Sequence, residues 1–167
     1  MTRDNLDRRL FLGLSGATIA AGTLAVVSGG TSSNASAASF EVRRPDADWE
    51  RRLGPQRYAV LRRAGTERAF TSPLLKEHRK GVFACAGCGL PLFSSATKYD
   101  SGTGWPSFWK ALPNAIGTST DTSFGMARVE EHCRRCGGHL GHIFDDGPRP
   151  TGKRHCINGL SLTFRPA

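Results

Sequence analysis

Apolar positions along this chain fall into three regimes. From Leu10 to Val27 they form one weakly apolar run, diluted by glycine, serine and threonine. From Asp48 the pattern turns helical: Pro55 suits a first helical position, Tyr58 and Leu61 lie three apart on one face, and Gly65 is placed to end the helix. Beyond Pro73, glycine and proline punctuate the chain often. The apolar runs shorten to Val82-Phe83, Leu90 to Phe93, Phe124 to Val129, Leu140 to Phe144 and Ile157 to Phe164. Short runs between turn residues predict a mainly β domain, mostly antiparallel with long loops. An irregular arm over Ser39 to Asp46 and a short helical cap precede it.

The first regime reads as a leader. Arg8-Arg9 stand ahead of Leu10-Phe11-Leu12, and small residues lead to Ala35-Ser36-Ala37, so a charged region, an apolar region and a small-x-small cleavage site follow in order. The adjacent arginines resemble a twin-arginine export signal, which carries proteins already folded. The competing reading is an uncleaved anchor, since the run is long enough to span a bilayer. Cleavage after Ala37 leaves about 130 residues, enough for one core. The division expected is therefore a signal over residues 1–37, an arm and the start of the cap over 38–57, and a catalytic domain over 58–167.

Charge changes this picture little. Losing three basic residues (Arg3, Arg8, Arg9) and two acidic ones (Asp4, Asp7) takes the formal charge from +9 to +8. The remaining Arg and Lys are scattered rather than gathered in one stripe, which favours a solvated surface over a polyanion site.

Cysteine carries the chemistry. Cys85-Ala-Gly-Cys88 and Cys133-Arg-Arg-Cys136 each present two thiols across a two-residue turn, the spacing of two half-sites of a tetrahedral zinc site. The alternative is two disulfides. With four sulfur ligands the site is closed, so the metal holds the fold and takes no part in catalysis. Cys156 is then the one thiol left for chemistry. If Arg154 to Asn158 opens the last strand, alternation puts Arg154, Cys156 and Asn158 on one face and His155 and Ile157 on the other. A guanidinium beside the sulfur favours thiolate; the plainer reading is a small hydrophobe in a terminal strand.

Two further segments bear on Cys156. Gly137-Gly138-His139-Leu140-Gly141-His142 sets two imidazoles three residues apart, able to protonate an oxygen near neutral pH and equally able to be core hydrogen-bonders. Gly102-Thr103-Gly104-Trp105-Pro106-Ser107-Phe108 presents Trp105 rigidly between glycine and proline, although buried tryptophans usually pack a core.

These segments meet in a family resemblance. Lys98 to Phe108, His139-Leu140-Gly141-His142-Ile143-Phe144-Asp145-Asp146-Gly147-Pro148 and Gly152-Lys153-Arg154-His155-Cys156-Ile157-Asn158, with both Cys-x-x-Cys pairs, resemble the MsrB type of peptide-methionine (R)-S-oxide reductase. The similarity runs from about Tyr58 to Phe164. It implies two packed antiparallel sheets with short N-terminal helices, and one structural zinc on Cys85, Cys88, Cys133 and Cys136, remote from the reacting sulfur. By position it implies Cys156 as nucleophile and Trp105 as the wall for the sulfoxide methyl. His139, His142 and Asn158 line the site, and Arg154 and Asp146 orient it and tune the thiolate. Phe108, in the same aromatic loop as Trp105, is assigned to substrate binding.

The chain also departs from that family. Many relatives carry a resolving cysteine where this chain has Thr103, so the resemblance implies re-reduction of a Cys156 sulfenic acid by an outside thiol, thioredoxin-like or small. His155 stands where tyrosine or phenylalanine is usual, and Gly159-Leu160 replaces a small-residue pair. By alternation His155 faces away from Cys156, so a packing change is expected. Two rival readings are a basic zinc-ribbon module for nucleic acid and a disulfide oxidoreductase using one Cys-x-x-Cys. The scattered charge speaks against the first, and the doubled pair against the second. The expected partners are oxidised proteins and a thiol reductant, with no nucleic acid and no stable membrane association after cleavage. The expected state is a periplasmic or extracellular monomer, for want of heptads or a large exposed apolar stretch.

Overall fold

The computed structural model describes residues 40–167; the leader expected over 1–37 lies outside the described residues. Among the described residues one α-helix, α1 (Asp46–Arg63), is followed by nine strands: β1 (Gly81–Cys85), β2 (Pro91–Ser94), β3 (Lys98–Tyr99), β4 (Ser107–Phe108), β5 (Ile116–Asp121), β6 (Arg128–Cys133), β7 (His139–Phe144), β8 (Arg154–Ile157) and β9 (Leu162–Pro166). They form two antiparallel sheets, β2-β1-β9 and β3-β4-β8-β7-β6-β5. Among the described residues no helix is long and apolar enough to cross a membrane.

The cap is one kinked helix rather than several short ones. Gly54 takes a left-handed conformation (φ +70°), and Pro55 restarts the helix after it, as its fixed φ and missing N–H allow. The left-handed residue that ends α1 is Ala64, not Gly65. Gly65 serves instead by close approach: its N–H donates to Ala59 O at 2.9 Å, and a Cβ there would lie 2.8 Å from that oxygen. Trp49, Tyr58 and Leu61 of α1 join the core.

Rings fill the space between the sheets. Phe108 stacks on Phe93 at 4.4 Å and meets Phe83 edge-on at 5.0 Å, and all three are fully buried. Burial of each such ring contributes roughly 1.5–3 kcal/mol. Phe108 is therefore a core residue, which corrects its assignment to substrate binding. It follows Ser107, whose side chain faces the other way, and a one-residue step along a strand changes the face.

Two strand boundaries also differ from the sequence pattern. β5 (Ile-Gly-Thr-Ser-Thr-Asp) carries almost no apolar signal because it is an edge strand paired only with β6. The Phe124 to Val129 run is split: Ser123–Gly125 is a 3-10 turn, and β6 begins at Arg128.

Candidate active site and cysteine cluster

One cross-strand row organises the larger sheet. Tyr99 pairs with Ser107, Ser107 with Cys156, Cys156 with His142, His142 with Glu130, and Glu130 with Ser119. Directly paired residues of an antiparallel ladder share a face, so six strands present this row on one side. The opposite side belongs to the core. There His155 Nδ1 lies 3.0 Å from Glu131 Oε1, both groups buried, and the imidazole packs 5.6 Å from the Phe93 ring. His155 thus faces away from Cys156, as alternation requires.

Cys156 is half-buried beside Thr103, whose hydroxyl lies 3.9 Å from the sulfur. Arg154, on the same face of β8, is locked in a fork with Asp146 at 2.7 and 2.8 Å and lies 4.3 Å over the Phe144 ring. Burial pushes the Cys156 thiol above its ordinary range, and the Thr103 hydroxyl and Arg154 charge offset only part of that. The expectation that Arg154 favours thiolate holds for its sign, but desolvation prevails over it in the unliganded protein. A cleft of about 370 Å³ opens here, lined by Tyr99, Ser101, Thr103, Asp146, Pro148 and Arg154.

The two imidazoles are 5.5 Å apart, each with its own carboxylate. His142 Nε2 lies 2.7 Å from Asp121 Oδ2, which also receives Arg128 at 2.7 Å. Burial pushes His142 below its ordinary value despite Asp121. His139 Nδ1 lies 2.9 Å from Glu130 Oε1, and His132 Nδ1 3.0 Å from Glu130 Oε2. Burial works to raise Glu130, but hydrogen bonds from His132, His139 and Ser119 outweigh it and hold the carboxyl below the usual carboxylate range. The Nε2 atom of His139 is buried with no protein partner. Each carboxylate fixes the orientation of its ring.

Trp105 and Asn158 are held by a residue the sequence pattern did not single out. The Trp105 indole donates to Glu67 O at 3.0 Å, and the Glu67 N–H donates to Asn158 Oδ1 at 2.9 Å. The Glu67 carboxylate accepts the N–H groups of Gly159 and Leu160 at 2.7 and 2.9 Å. Asn158 spends its amide nitrogen on Leu140 O, so it ties β7 to β8 rather than presenting a free amide. Glu67, Asp121 and Glu130 were missed because a charge in a loop, in a polar strand or beside another glutamate gives no periodic signal. A larger cavity of about 910 Å³, between α1 and β9, includes none of Cys156, Trp105, His139 and His142 in its lining; Glu67 and Gly159 connect the two regions.

Away from the row, the four remaining cysteines meet where β1 and β6 end. Their sulfurs all lie within 4.8 Å of one another, with Cys85 and Cys136 3.7 Å apart and Cys88 and Cys133 3.6 Å apart, and all five cysteines are free thiols. The reading as two disulfides is not what the fold builds. Each pair is a knuckle closed by a glycine N–H, Gly89 to Cys85 O at 2.7 Å and Gly137 to Cys133 O at 2.8 Å, both glycines having positive φ. Arg135 Nε reaches Cys88 Sγ at 3.4 Å, and Arg62 holds Cys136 O at 3.0 Å. This quartet can hold one metal ion. The row, for its part, carries the Cys156 thiol and the His142 imidazole, with the His139 imidazole held on its Glu130, a set able to attack an electrophile and protonate a leaving oxygen.

Comparison with known proteins bears on the whole domain. The family model described as SelR domain matches residues 53–166. A peptide methionine sulfoxide reductase MsrB of Leptospira interrogans is 52% identical over 128 residues, 76% of this chain and 98% of its own. The protein of the same name from Thiobacillus denitrificans is 56% identical over 122 residues (72% and 92%), and that from Methanosarcina barkeri 51% over 125 (74% and 88%). The chain belongs to the MsrB family.

Within that family its departures become physical. His155 has a buried acid, Glu131, as its counterpart, so the change from the usual aromatic is one of packing and pairing inside the core. Gly159 is required by Ser72: a Cβ at Gly159 would stand 1.8 Å from Ser72 Oγ. Thr103 puts a hydroxyl, not a thiol, next to Cys156.

Proposed function

We propose that this protein reduces methionine-R-sulfoxide in oxidised proteins to methionine, with Cys156 as the nucleophile and a zinc ion on Cys85, Cys88, Cys133 and Cys136. The observation that carries the reading is the row pairing Cys156 with His142 and Glu130, beside the Thr103 to Trp105 loop.

The chemistry follows from the groups present. The Cys156 sulfur attacks the sulfoxide sulfur while His139 or His142 delivers a proton to the oxygen. Oxygen ends on Cys156 as a sulfenic acid, which is oxidised by two electrons as the sulfoxide is reduced by two. His139 suits the proton transfer through its unpartnered Nε2, with Glu130 orienting the ring through Nδ1. Trp105, braced on Glu67, offers a flat apolar wall for the methyl group, and a wall opposite polar donors selects one sulfoxide epimer by shape. Arg154 and Asp146 lock the strand that carries the sulfur and leave a positive charge near it. Two molecules of an outside thiol, small or thioredoxin-like, then restore Cys156, releasing a disulfide and water. Thr103 cannot serve as an internal resolving thiol.

Zinc fits the quartet. Zinc–sulfur bonds of about 2.3 Å in a tetrahedron separate sulfurs by about 3.8 Å, close to the spacing found here. Such an ion takes no part in the reaction and ties α1 and the β1 and β6 knuckles into one unit. The arginine pair and small-x-small site of residues 1–37 support export of the folded, metal-loaded domain to a periplasmic or extracellular location, where it acts as a monomer.

The test is turnover of an R-sulfoxide with dithiothreitol. Activity abolished by Cys156→Ser with zinc still bound supports the reading. Activity that survives Cys156→Ser, or depends instead on Cys85, contradicts it.

A further inference from the structure

A bulky side chain stands exposed beside the Trp105 loop in a conformation that side chains rarely adopt. Phe70 is 72% exposed, the most exposed of the large hydrophobics among the described residues, and its φ is +65°. Left-handed backbone at a bulky residue is a departure from the ordinary range that the surrounding structure must impose. Here two contacts impose it. The Phe70 N–H donates to Gly104 O at 2.8 Å, and two residues before Phe70 on the approach side, Arg68 takes a bond at its carbonyl from the Thr71 hydroxyl.

The ring does not enter the core. It lies against the backbone of Gly104, where a Cβ would approach two of its carbons to 2.9 Å, so the glycine at φ +91° leaves room for the ring. The next residue is Trp105, whose indole is bonded to Glu67 in the same 67–70 segment. Segments 67–70 and 104–105 are thus stitched together twice, and the exposed ring is held against Gly104, the residue that precedes the indole of the proposed methyl wall.

We propose that Phe70 is the outer rim of the substrate site, a contact for apolar side chains flanking the oxidised methionine in an extended polypeptide. The inference rests on the reductase reading and adds a substrate class to it. Methionine is a residue of cores and apolar interfaces, and its oxidation disrupts them, so an oxidised methionine there is exposed together with apolar side chains around it. An aromatic held rigidly at a rim offers such neighbours contact area at little conformational cost. Free methionine sulfoxide has no flanking residues and gains nothing from it.

The experiment compares two R-sulfoxide substrates on the full domain with dithiothreitol as reductant: a hexapeptide with leucine and valine flanking the sulfoxide, and N-acetyl-methionine sulfoxide amide. Phe70→Gly removes the ring and suits the left-handed backbone; Phe70→Tyr keeps the ring. The ratio of kcat/KM for peptide over amide is expected to fall about five-fold or more in Phe70→Gly, through KM, and to return to within about two-fold in Phe70→Tyr. The melting temperature of Phe70→Gly is expected to hold or rise, because the strain is relieved. An unchanged ratio in Phe70→Gly overturns the proposal, as does an equal loss on both substrates with a lower melting temperature. If the unaltered protein reduces neither substrate, the reductase reading itself fails and the proposal with it.

Discussion

The indole nitrogen of Trp105 donates to the backbone carbonyl of Glu67 at 3.0 Å. That bond joins a residue before the β domain to the loop that faces Cys156, and the rest of Glu67 extends the link. Its N–H holds Asn158, and its carboxylate holds the two N–H groups that follow Asn158. One buried glutamate therefore fixes Trp105 and the end of the strand that carries Cys156 together.

Glu67→Ala leaves one buried N–H group, that of Gly159, and one part-buried, that of Leu160, without acceptors. A loss of about 1–3 kcal/mol per unsatisfied group is the ordinary scale, so urea denaturation with metal retained should register a clear destabilisation. Glu67→Gln, which keeps one acceptor oxygen, should recover part of it. In both variants kcat/KM for a sulfoxide substrate should drop, since the backbone of residue 67, which still bonds Trp105 and Asn158, is no longer fully fixed by its carboxylate to Gly159 and Leu160.

The buried Glu131–His155 pair makes a different prediction. Burial pushes Glu131 up, and His155 works against that. Removing one partner strands the other in the core, which typically costs about 3–5 kcal/mol, whereas replacing both by apolar groups is often neutral or stabilising. His155→Phe alone should destabilise the domain strongly, and Glu131→Leu with His155→Phe should restore its denaturation midpoint. Turnover in the double variant should keep its pH profile, because the pair faces away from Cys156.

Ser72 and Gly159 compete for one volume. A side chain at Gly159 meets Ser72 Oγ at 1.8 Å, so Gly159→Ala should be destabilising by about 1–3 kcal/mol, the scale of overpacking. Ser72→Gly in the same chain should rescue most of it. A thermal-melt double-mutant cycle reads the coupling directly.

The fold class and the division of cysteines were legible in the sequence for physical reasons. Paired thiols at two-residue spacing need glycine-closed knuckles, and Gly89 and Gly137 supply them; Cys156 was left over by spacing alone. Alternation set His155 correctly on the far face. The same rule, applied to Ser107-Phe108, places Phe108 in the core, a step that its nearness to Trp105 obscured. Asp121 was hidden because an edge strand that faces water has no apolar period. Glu67 was hidden because its work is done by hydrogen bonds across more than 90 residues of sequence, which no local pattern encodes.

The raised thiol of Cys156 sets the pH behaviour. Because burial disfavours the charged sulfur, the thiolate is scarcer at neutral pH than for a free cysteine, and its fraction keeps growing beyond the ordinary value of about 8.5. Alkylation of the metal-loaded protein by iodoacetamide should therefore still be accelerating above that pH. Arg154→Leu removes the nearby positive charge and should shift the curve higher still. A plateau below pH 7 in the unliganded protein would contradict this account.

The central claim is that one sulfur reacts while four hold a metal. The most direct measurement exposes the zinc-loaded domain to excess R-sulfoxide peptide without reductant, then follows methionine release, zinc content and the oxidation state of each cysteine by mass spectrometry. The prediction is about one methionine per chain, one added oxygen on the Cys156 peptide and no loss of zinc. Release of zinc in step with methionine, or a disulfide within the quartet while Cys156 stays a thiol, would contradict it.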